Sequence, residues 1–228
     1  MAIPLIPAMT AAEIRKNTLL YPSIAYLSCQ FSPTQPAISD LPPHLPPAST
    51  VILTDRFPVQ NHDPDQIIHQ LRSLQPDSIL LDLQRPPTPA AQEMVAALAS
   101  GLPFPVGVTP PYAEGLDCPV FLPPIPPHIP PGEYLHPWHD REIWLELALD
   151  ASQITVTTQG STVLPFPFAK PSENAHADSA LHCHYSITEE PDALRFYLYR
   201  TRDDLTALLN SSLPSNLTRA YGLYQELR

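Results

Sequence analysis

Apolar runs that lack proline alternate along this chain with connections in which proline is concentrated. The chain has 32 prolines and only 6 glycines. Proline has no N–H to donate to a sheet ladder, so it is excluded from central strands and tolerated in loops. The pattern therefore predicts strands joined by stiff loops. The long proline-free runs, which we expect to be strands, are Ile24–Cys29, Thr50–Arg56, Ser78–Gln84, Glu142–Leu149, Leu181–Thr188 and Ala193–Arg200.

Shorter elements fill the intervals between these runs. We expect short strands at Phe104–Thr109 and Pro119–Leu122, and a small hairpin around Gly160. Apolar residues at helical spacing, preceded by N-cap residues such as Asp63 and Thr201, predict helices. The predicted helices are Thr10–Leu19, one that follows Asp63 and carries Ile67, Ile68, Leu71 and Leu74, then Thr88–Ser100, Gly132–Trp138, Arg202–Ser211 and Asn216–Leu227.

The alternation of strands and helices predicts an α/β fold with parallel strands. Without the hairpin there are eight predicted strands, the number that closes a parallel barrel. Because 228 residues are few for such a barrel, some outer helices have to be replaced by loops. We therefore expect a single α/β domain, residues 1–228, folded as a small (β/α)8 TIM-like barrel in which proline-rich loops replace some helices. The alternative is an open α/β sheet.

Charge and composition narrow the classes of function. The formal net charge is −11, and the 12 basic residues are scattered, which argues against nucleic acid and anionic membranes as partners. The chain shows no signal peptide and no apolar run of about 20 residues, so we expect a cytoplasmic protein. No glycine-rich phosphate loop is present, and we expect no cofactor. The three separated cysteines are expected to be reduced thiols.

Several predicted strands carry polar residues on one face only. Side chains alternate in direction along a strand, so in Glu142–Leu149 the side chains of Trp144 and Glu146 share one face, opposite an apolar face. If such faces converge inside a barrel, they bring polar side chains together, and sites gather where strands end. This places in one hollow, or at its rim, the side chains of Asp55, Asp82, Gln84, Arg85, Glu146, His182, His184 and Tyr199.

The third predicted strand resembles a signature of a known enzyme family. Its sequence, Asp77-Ser-Ile-Leu-Leu-Asp-Leu-Gln84, resembles the Asp-x-x-Asp-x-Asp-x-Glu strand of family-18 chitinase-like barrels over about eight residues. The resemblance implies that Asp82 stands where the family orients the acetamido group of its substrate. Leu80 replaces an Asp of the pattern, and Gln84 replaces the proton donor. Glutamine cannot donate a catalytic proton, so the resemblance implies a sugar-binding or repurposed barrel.

Two carboxylates and two tryptophans are the candidates for carbohydrate chemistry. Glycoside hydrolysis uses a pair of carboxyl groups, and Asp82 with Glu146 is the candidate catalytic pair. Trp138 and Trp144 are candidates for a platform on which a sugar ring stacks. The structural alternative is that Glu146 pairs with an arginine and Trp144 belongs to the core.

His182 and His184 raise a further alternative. With Asp82 or Glu146 they match a site of two histidines and one carboxylate, although hydrogen-bonded core histidines explain the same pattern. The leading hypothesis is a carbohydrate-active or carbohydrate-binding barrel of glycoside-hydrolase type with a sugar ligand. The alternatives are a non-catalytic structural or interaction protein and a metal-dependent hydrolase. Turnover, substrate and oligomeric state stay open.

Overall fold

Eight parallel strands close into a barrel in the computed structural model, which describes residues 3–17, 21–42, 44–166 and 174–228. Strand β1 pairs with β2 on one side and with β14 on the other, and this completes the ring. In chain order, the barrel strands are β1 (Leu5–Met9), β2 (Ala25–Phe31), β4 (Thr50–Thr54), β5 (Ser78–Asp82), β6 (Val106–Val108), β7 (Val120–Leu122), β8 (Ile143–Leu147) and β14 (Leu217–Leu223), while β3 (Ile38–Ser39) lies beside β2.

The predicted barrel is confirmed, but two of its strands are not the predicted ones. Leu5–Met9 was not predicted as a strand because it contains Pro7, yet it lies between two parallel neighbours. The predicted helix Asn216–Leu227 is wrong, because Leu217–Leu223 is strand β14, paired with β1 and β8. Pairing on both sides outweighs the local helical spacing of this segment.

The two segments that were wrongly predicted as barrel strands belong to a second sheet. In the chain, this sheet lies between β8 and β14. It is antiparallel, in the order β10-β9-β13-β12-β11. The prediction that Leu181–Thr188 and Ala193–Arg200 are barrel strands is therefore wrong; they form a hairpin with a tight turn at Pro191 and Asp192. The predicted hairpin around Gly160 is confirmed. The strands are β9 (Ala151–Thr157), β10 (Gly160–Pro165), β11 (His176–Asp178), β12 (Cys183–Glu190) and β13 (Ala193–Tyr199).

Helices cover only part of the outside of the barrel. Asp63, Thr88 and Thr201 cap helices with their side chains, as their positions in the sequence indicate. Residues 18 and 19 of the first predicted helix lie outside the described residues. The helices are α1 (Ala11–Asn17), α2 (Pro64–Leu74), α3 (Pro89–Gly101), α4 (Pro131–Leu135) and α5 (Arg202–Leu209), with short 3-10 helices at Pro110–Tyr112 and His136–Trp138. None of the helices in the described ranges is long and apolar enough to cross a bilayer.

The alternation of side chains along the strands builds two apolar layers. On β8, Ile143, Leu145 and Leu147 pack outward in the main core cluster. Trp144 points inward and packs with Leu80 and other side chains inside the barrel. The faces predicted for Ser78–Gln84 and Glu142–Leu149 are therefore the observed ones.

A buried arginine fastens the small sheet to the barrel. Arg200 is 1% exposed and donates hydrogen bonds to the carbonyls of Leu181, His182 and Ile125. Ile125 belongs to the proline-rich loop that follows β7. That loop is packed into the core through Ile125, which is 1% exposed.

Candidate functional site

The candidate site lies at the end of the barrel where the parallel strands finish. Asp82 is the last residue of β5, and Glu146 is the last but one of β8. Their side chains line one cavity of about 40 Å³, enough for a few water molecules. The remaining wall is mostly apolar and is formed by Ala8, Leu27, Ile52, Leu80, Phe121, Tyr221, Gly222 and Leu223.

The position of the two carboxyl groups follows from strand alternation. Asp82 points inward two residues after Leu80, and Glu146 does so two residues after Trp144. The inward layer below them is apolar, so the acidic groups are the first polar layer at this mouth. The two predicted catalytic residues thus line the same cavity, and a catalytic role for them stays a prediction.

Glu146 is held in an environment that favours its protonated form. Burial, together with the nearby charges of Asp82, Asp150 and Glu226, raises the pKa of Glu146 to about 7. Close to pH 7, about half of the molecules therefore carry a proton on this carboxyl group. Such a group can donate a proton or a hydrogen bond to an oxygen atom at the mouth.

Asp82 is joined to Gln84. Burial raises the pKa of Asp82, while a hydrogen bond from the Gln84 side chain acts in the opposite direction and the charge of Asp55 raises it. The Nε2 of Gln84 donates this bond to Oδ1 of Asp82. Gln84 itself is exposed beyond the end of the strand. The amide thus stabilises the carboxylate form of its neighbour, and it contributes no acid.

Asp55 and Arg85 build the rim of the mouth. Asp55 is 4% exposed, and its carboxylate accepts hydrogen bonds from the backbone N–H groups of Gln84 at 2.9 Å and Arg85 at 2.8 Å. The Arg85 guanidinium donates in turn to the carbonyls of Asp55 and Arg56. These contacts hold the loop after β5 against the end of β4, so both residues position the rim.

The structure does not support the predicted tryptophan platform. Trp144 is fully buried inside the barrel, next to Gly107 and with the Arg219 guanidinium 4.8 Å from the ring centre. It presents no face to a ligand. The backbone carbonyl of Trp138 accepts a hydrogen bond from Asn216, which precedes β14. Trp138 therefore lies near the start of β14. Its segment also runs into the start of β8, so this residue is at the amino-terminal end of the barrel, opposite the mouth.

His184 and Tyr199 lie on strands of the small sheet and His182 lies in the turn before β12, so the prediction that they share the barrel hollow is wrong. His184 Nδ1 lies 2.8 Å from Asp204 Oδ2, and its ring stacks on Tyr199 at 5.8 Å. The carbonyl of His182 accepts a hydrogen bond from Arg200. Within the described ranges no group of three or more His, Cys, Asp or Glu side chains is placed to hold a metal ion.

Sequence reasoning missed the part of the mouth that β14 supplies. Tyr221, Gly222 and Leu223 line the cavity, but they fall in the segment that was predicted as a helix. The sequence does contain a strand pattern here, because the larger residues Leu217, Arg219 and Tyr221 alternate with smaller ones. The strand is seven residues long. Glu226, which follows β14, was missed for the same reason.

The fold of this chain matches solved structures, although no protein-family model and no curated protein sequence matches the chain. One is the spore cortex-lytic enzyme SleL of Bacillus cereus, with a TM-score of 0.54 at 8% identity, covering 99% of this chain and 71% of that one.

Two chitinase structures match over nearly the whole of both chains. A mutant GH18 chitinase from Cycas revoluta in complex with (GlcNAc)4 has a TM-score of 0.54 at 12% identity and covers 98% of this chain and 94% of that one. A chitinase from Chromobacterium violaceum has a TM-score of 0.50 at 9% identity, with 97% and 93% covered. The chain thus has a glycosidase-like barrel fold similar to that of GH18 chitinases. At these identities the likeness concerns the fold alone.

Proposed function

We propose that this protein is a carbohydrate-binding barrel that binds an oligosaccharide containing N-acetylglucosamine at the mouth formed by Asp82, Gln84 and Glu146. The observation that carries the proposal is the placement of Asp82 and Glu146 in one cavity at the carboxyl end of a chitinase-like barrel. In parallel barrels, ligand sites lie at this end. The likeness to a chitinase solved with (GlcNAc)4 supports the choice of ligand.

The chemistry of the mouth favours binding over cleavage by the family-18 route. Gln84 stands where the resemblance implies a proton donor, and its amide does not titrate in the relevant range. It instead donates a hydrogen bond to Asp82. Carboxylate oxygens, the amide of Gln84 and the protonated form of Glu146 offer acceptors and donors suited to sugar hydroxyl and acetamido groups.

Calorimetric titration with (GlcNAc)4 tests the proposal. We expect saturable binding by the wild type that weakens at least tenfold in Asp82→Asn, because the amide replaces a charged acceptor at the mouth. The control variant is Asp65→Asn, an exposed carboxyl group on α2, and it should bind like the wild type. Absence of binding by wild type at millimolar ligand would overturn the proposal.

A turnover assay separates binding from hydrolysis. Incubation of (GlcNAc)4 with the wild type should release no new reducing ends above the background. Release that disappears in Glu146→Gln would instead identify Asp82 and Glu146 as a working glycosidase pair, with Glu146 as the proton donor. That result would contradict the binding-only function and leave the carbohydrate ligand in place.

A second candidate function, contact with another protein, is favoured by one observation on the small sheet. Val163 pairs with Ile154, Val156 with Leu194, and Ile187 with Phe196, so these side chains lie on one face. Four of them are 38–48% exposed: Val156, Val163, Ile187 and Leu194. An apolar face of this kind is typical of interaction surfaces.

Sedimentation over a range of concentrations tests this candidate, with a second copy of the chain as the partner. A dimer that Ile187→Ser abolishes would favour it, because the substitution removes exposed apolar area. A monomer at all concentrations would count against this use of the sheet.

A further inference from the structure

The small sheet ends at strand β10, which pairs on one side only within the described residues. The strand order places β10 at an edge of the sheet, next to β9. An edge strand presents backbone N–H and C=O groups that no neighbouring strand uses, and another strand can join them. The outer side of β10, here called the free edge, is therefore a surface that a further strand can extend.

The hydrogen-bond pattern shows which residues of β10 face the free edge. The N–H of Phe166 donates to the carbonyl of Ala151 at 3.0 Å, so these two opposed residues form a hydrogen-bonded pair. Bonded and non-bonded pairs alternate along antiparallel strands. The register of β10 with β9 is continuous, so the even-numbered residues of β10 bond to β9. The backbone N–H and C=O groups of Ser161 and Val163 therefore point outward.

Strand β10 lacks the features with which edge strands usually prevent association, namely charged side chains, bulges and internal prolines. Its sequence, Gly160-Ser-Thr-Val-Leu-Pro165, carries no charge, and its one proline is the last residue. At the opposite edge of the sheet, β11 is three residues long and includes Asp178. Of the two edges, the one formed by β10 is therefore the better suited to pairing.

The distribution of charge favours a second copy of this chain as the partner. The formal net charge is −11, so two copies repel each other when charged surfaces meet. Residues 151–166, which include β9 and β10, contain no Asp, Glu, Lys or Arg. The hairpin of β12 and β13, by contrast, carries Glu189, Glu190 and Asp192. Two copies can thus approach at β10 without opposed carboxylates.

Apolar side chains on both faces of β10 are exposed. Val163 is 44% exposed and Leu164 is 58% exposed. Because they are adjacent in a strand, their side chains point to opposite faces of the sheet. A second strand beside β10 would cover part of each, and burial of apolar surface favours association.

From these observations we infer that β10 pairs antiparallel with β10 of a second copy of this chain, about a two-fold axis between the two Thr162 residues. In this register Ser161 of each copy lies opposite Val163 of the other, and the two residues exchange both backbone hydrogen bonds. A two-fold contact of this kind is self-complementary and closed. The inference goes beyond the carbohydrate-binding function and does not depend on it. It also differs from contact through the apolar face of the small sheet, because it uses the edge.

Sedimentation over a range of chain concentrations, with matched lysine variants, tests the pairing. Two short strands make a small interface, so we expect the wild type to form a weak dimer at micromolar concentrations. Thr162→Lys places like charges opposite each other at the axis and should raise the dissociation constant of the dimer at least tenfold. The control is Thr188→Lys, the same change of charge at an exposed position on the same face, away from the free edge. It should dimerise like the wild type, and thermal unfolding establishes that both variants are folded.

Hydrogen exchange of single amides separates the edge from the apolar face. The N–H groups of Ser161 and Val163 are free in the monomer, so their exchange should become slower as the chain concentration rises. The N–H of Thr162 bonds to β9 in monomer and dimer alike, and its exchange should change little. Ile187→Ser, on the apolar face and away from β10, should leave the dimer intact.

Three results would overturn the edge pairing. A dimer that Ile187→Ser abolishes and Thr162→Lys retains would assign the contact to the apolar face. A dimer in which exchange at Ser161 and Val163 does not depend on concentration would place the contact elsewhere. A wild type that is monomeric at all concentrations would leave the free edge to a strand of a different protein.

Discussion

At the scale of single residues, strand alternation explains why Asp82 and Glu146 come to one place. Each stands two positions after a buried inward residue, and both strands belong to the barrel. The same rule put His182 and His184 on one strand face, but it cannot say which sheet that strand joins. Direction within a strand could be predicted from the sequence, whereas the membership of the strand in a sheet could not.

The raised pKa of Glu146 predicts a dependence of stability on pH. The folded protein holds this proton more tightly than the unfolded chain, so the stabilisation is present below about pH 4.5 and is lost as the pH rises through about 7. Glu146→Gln should therefore raise the free energy of unfolding by on the order of 2 kcal/mol at pH 8 and leave it nearly unchanged at pH 4. Denaturant unfolding at both pH values measures this difference.

The matched control for this experiment is Glu93→Gln, an exposed carboxyl group on α3. It should change the free energy of unfolding little at either pH. A Glu146→Gln variant that is less stable than the wild type at pH 8 would contradict the assignment of the raised pKa.

The hydrogen bonds that Asp55 accepts at the rim should contribute to the stability of the fold. Asp55→Ala leaves the N–H groups of Gln84 and Arg85 without their acceptor in a buried setting, which should lower the free energy of unfolding by about 2–4 kcal/mol. Chemical denaturation measures the loss. Asp65→Ala, on the exposed side of α2, should change it by less than about 1 kcal/mol, and equal effects of the two variants would count against a structural role for Asp55.

At the scale of elements, long runs were predicted better than short ones. Thr50–Thr54, Ser78–Asp82 and Ile143–Leu147 are nearly continuous apolar segments without proline, and all three were predicted as strands. Leu5–Met9 carries a proline and was missed. Leu217–Leu223 has apolar residues at spacings that fit a helix as well as a strand, and its two neighbours in the barrel decide between them.

The contact of β6 with β8 across the barrel interior gives a prediction about packing. A Cβ atom at Gly107 would lie 2.3 Å from Cε3 of Trp144, a ring that is fully buried and cannot move aside. Gly107→Ala should therefore lower the free energy of unfolding by about 2–3 kcal/mol, as overpacking does in cores.

The control is Gly132→Ala in helix α4, where an added Cβ meets nothing within 4 Å. It should be neutral or slightly stabilising, because alanine favours a helix over glycine. Equal stability of Gly107→Ala and the wild type would mean that the inward packing of Trp144 is wrong.

Because Arg200 joins the small sheet to the barrel, its substitution should loosen the structure only near this residue. Arg200→Met removes the donors to the carbonyls of Leu181, His182 and Ile125, so hydrogen exchange should accelerate at the amides of 181–184 and at those of Ile125, His128 and Ile129 in the loop after β7. Exchange in β4 and β5 should stay slow, because their pairing does not involve this residue.

Arg195→Met is the control for Arg200. Arg195 pairs with Glu190 at a position where both side chains are 37–39% exposed, and such surface pairs contribute about 1 kcal/mol or less. Uniform acceleration of exchange over the barrel in Arg200→Met would contradict a local fastening role.

At the scale of the whole molecule, the predicted barrel is confirmed although two of its eight strands were assigned to the wrong segments. The number of strands could be counted from the sequence, but ring closure depends on the pairing of β1 with both β2 and β14, which are distant in the chain. The candidate site was predictable as far as Asp82, Gln84 and Glu146. The contribution of β14 to the mouth depends on its pairing with β1 and β8, which only the folded chain establishes.

We propose to test binding of an N-acetylglucosamine oligosaccharide at the carboxyl end of the barrel by the amide chemical shifts of the ¹⁵N-labelled protein during titration with (GlcNAc)4. We expect saturable shifts at residues 54–56, 82–85 and 146–149, and no shifts in the small sheet beyond residue 153. Shifts confined to the small sheet, or no shifts at millimolar ligand, would contradict it.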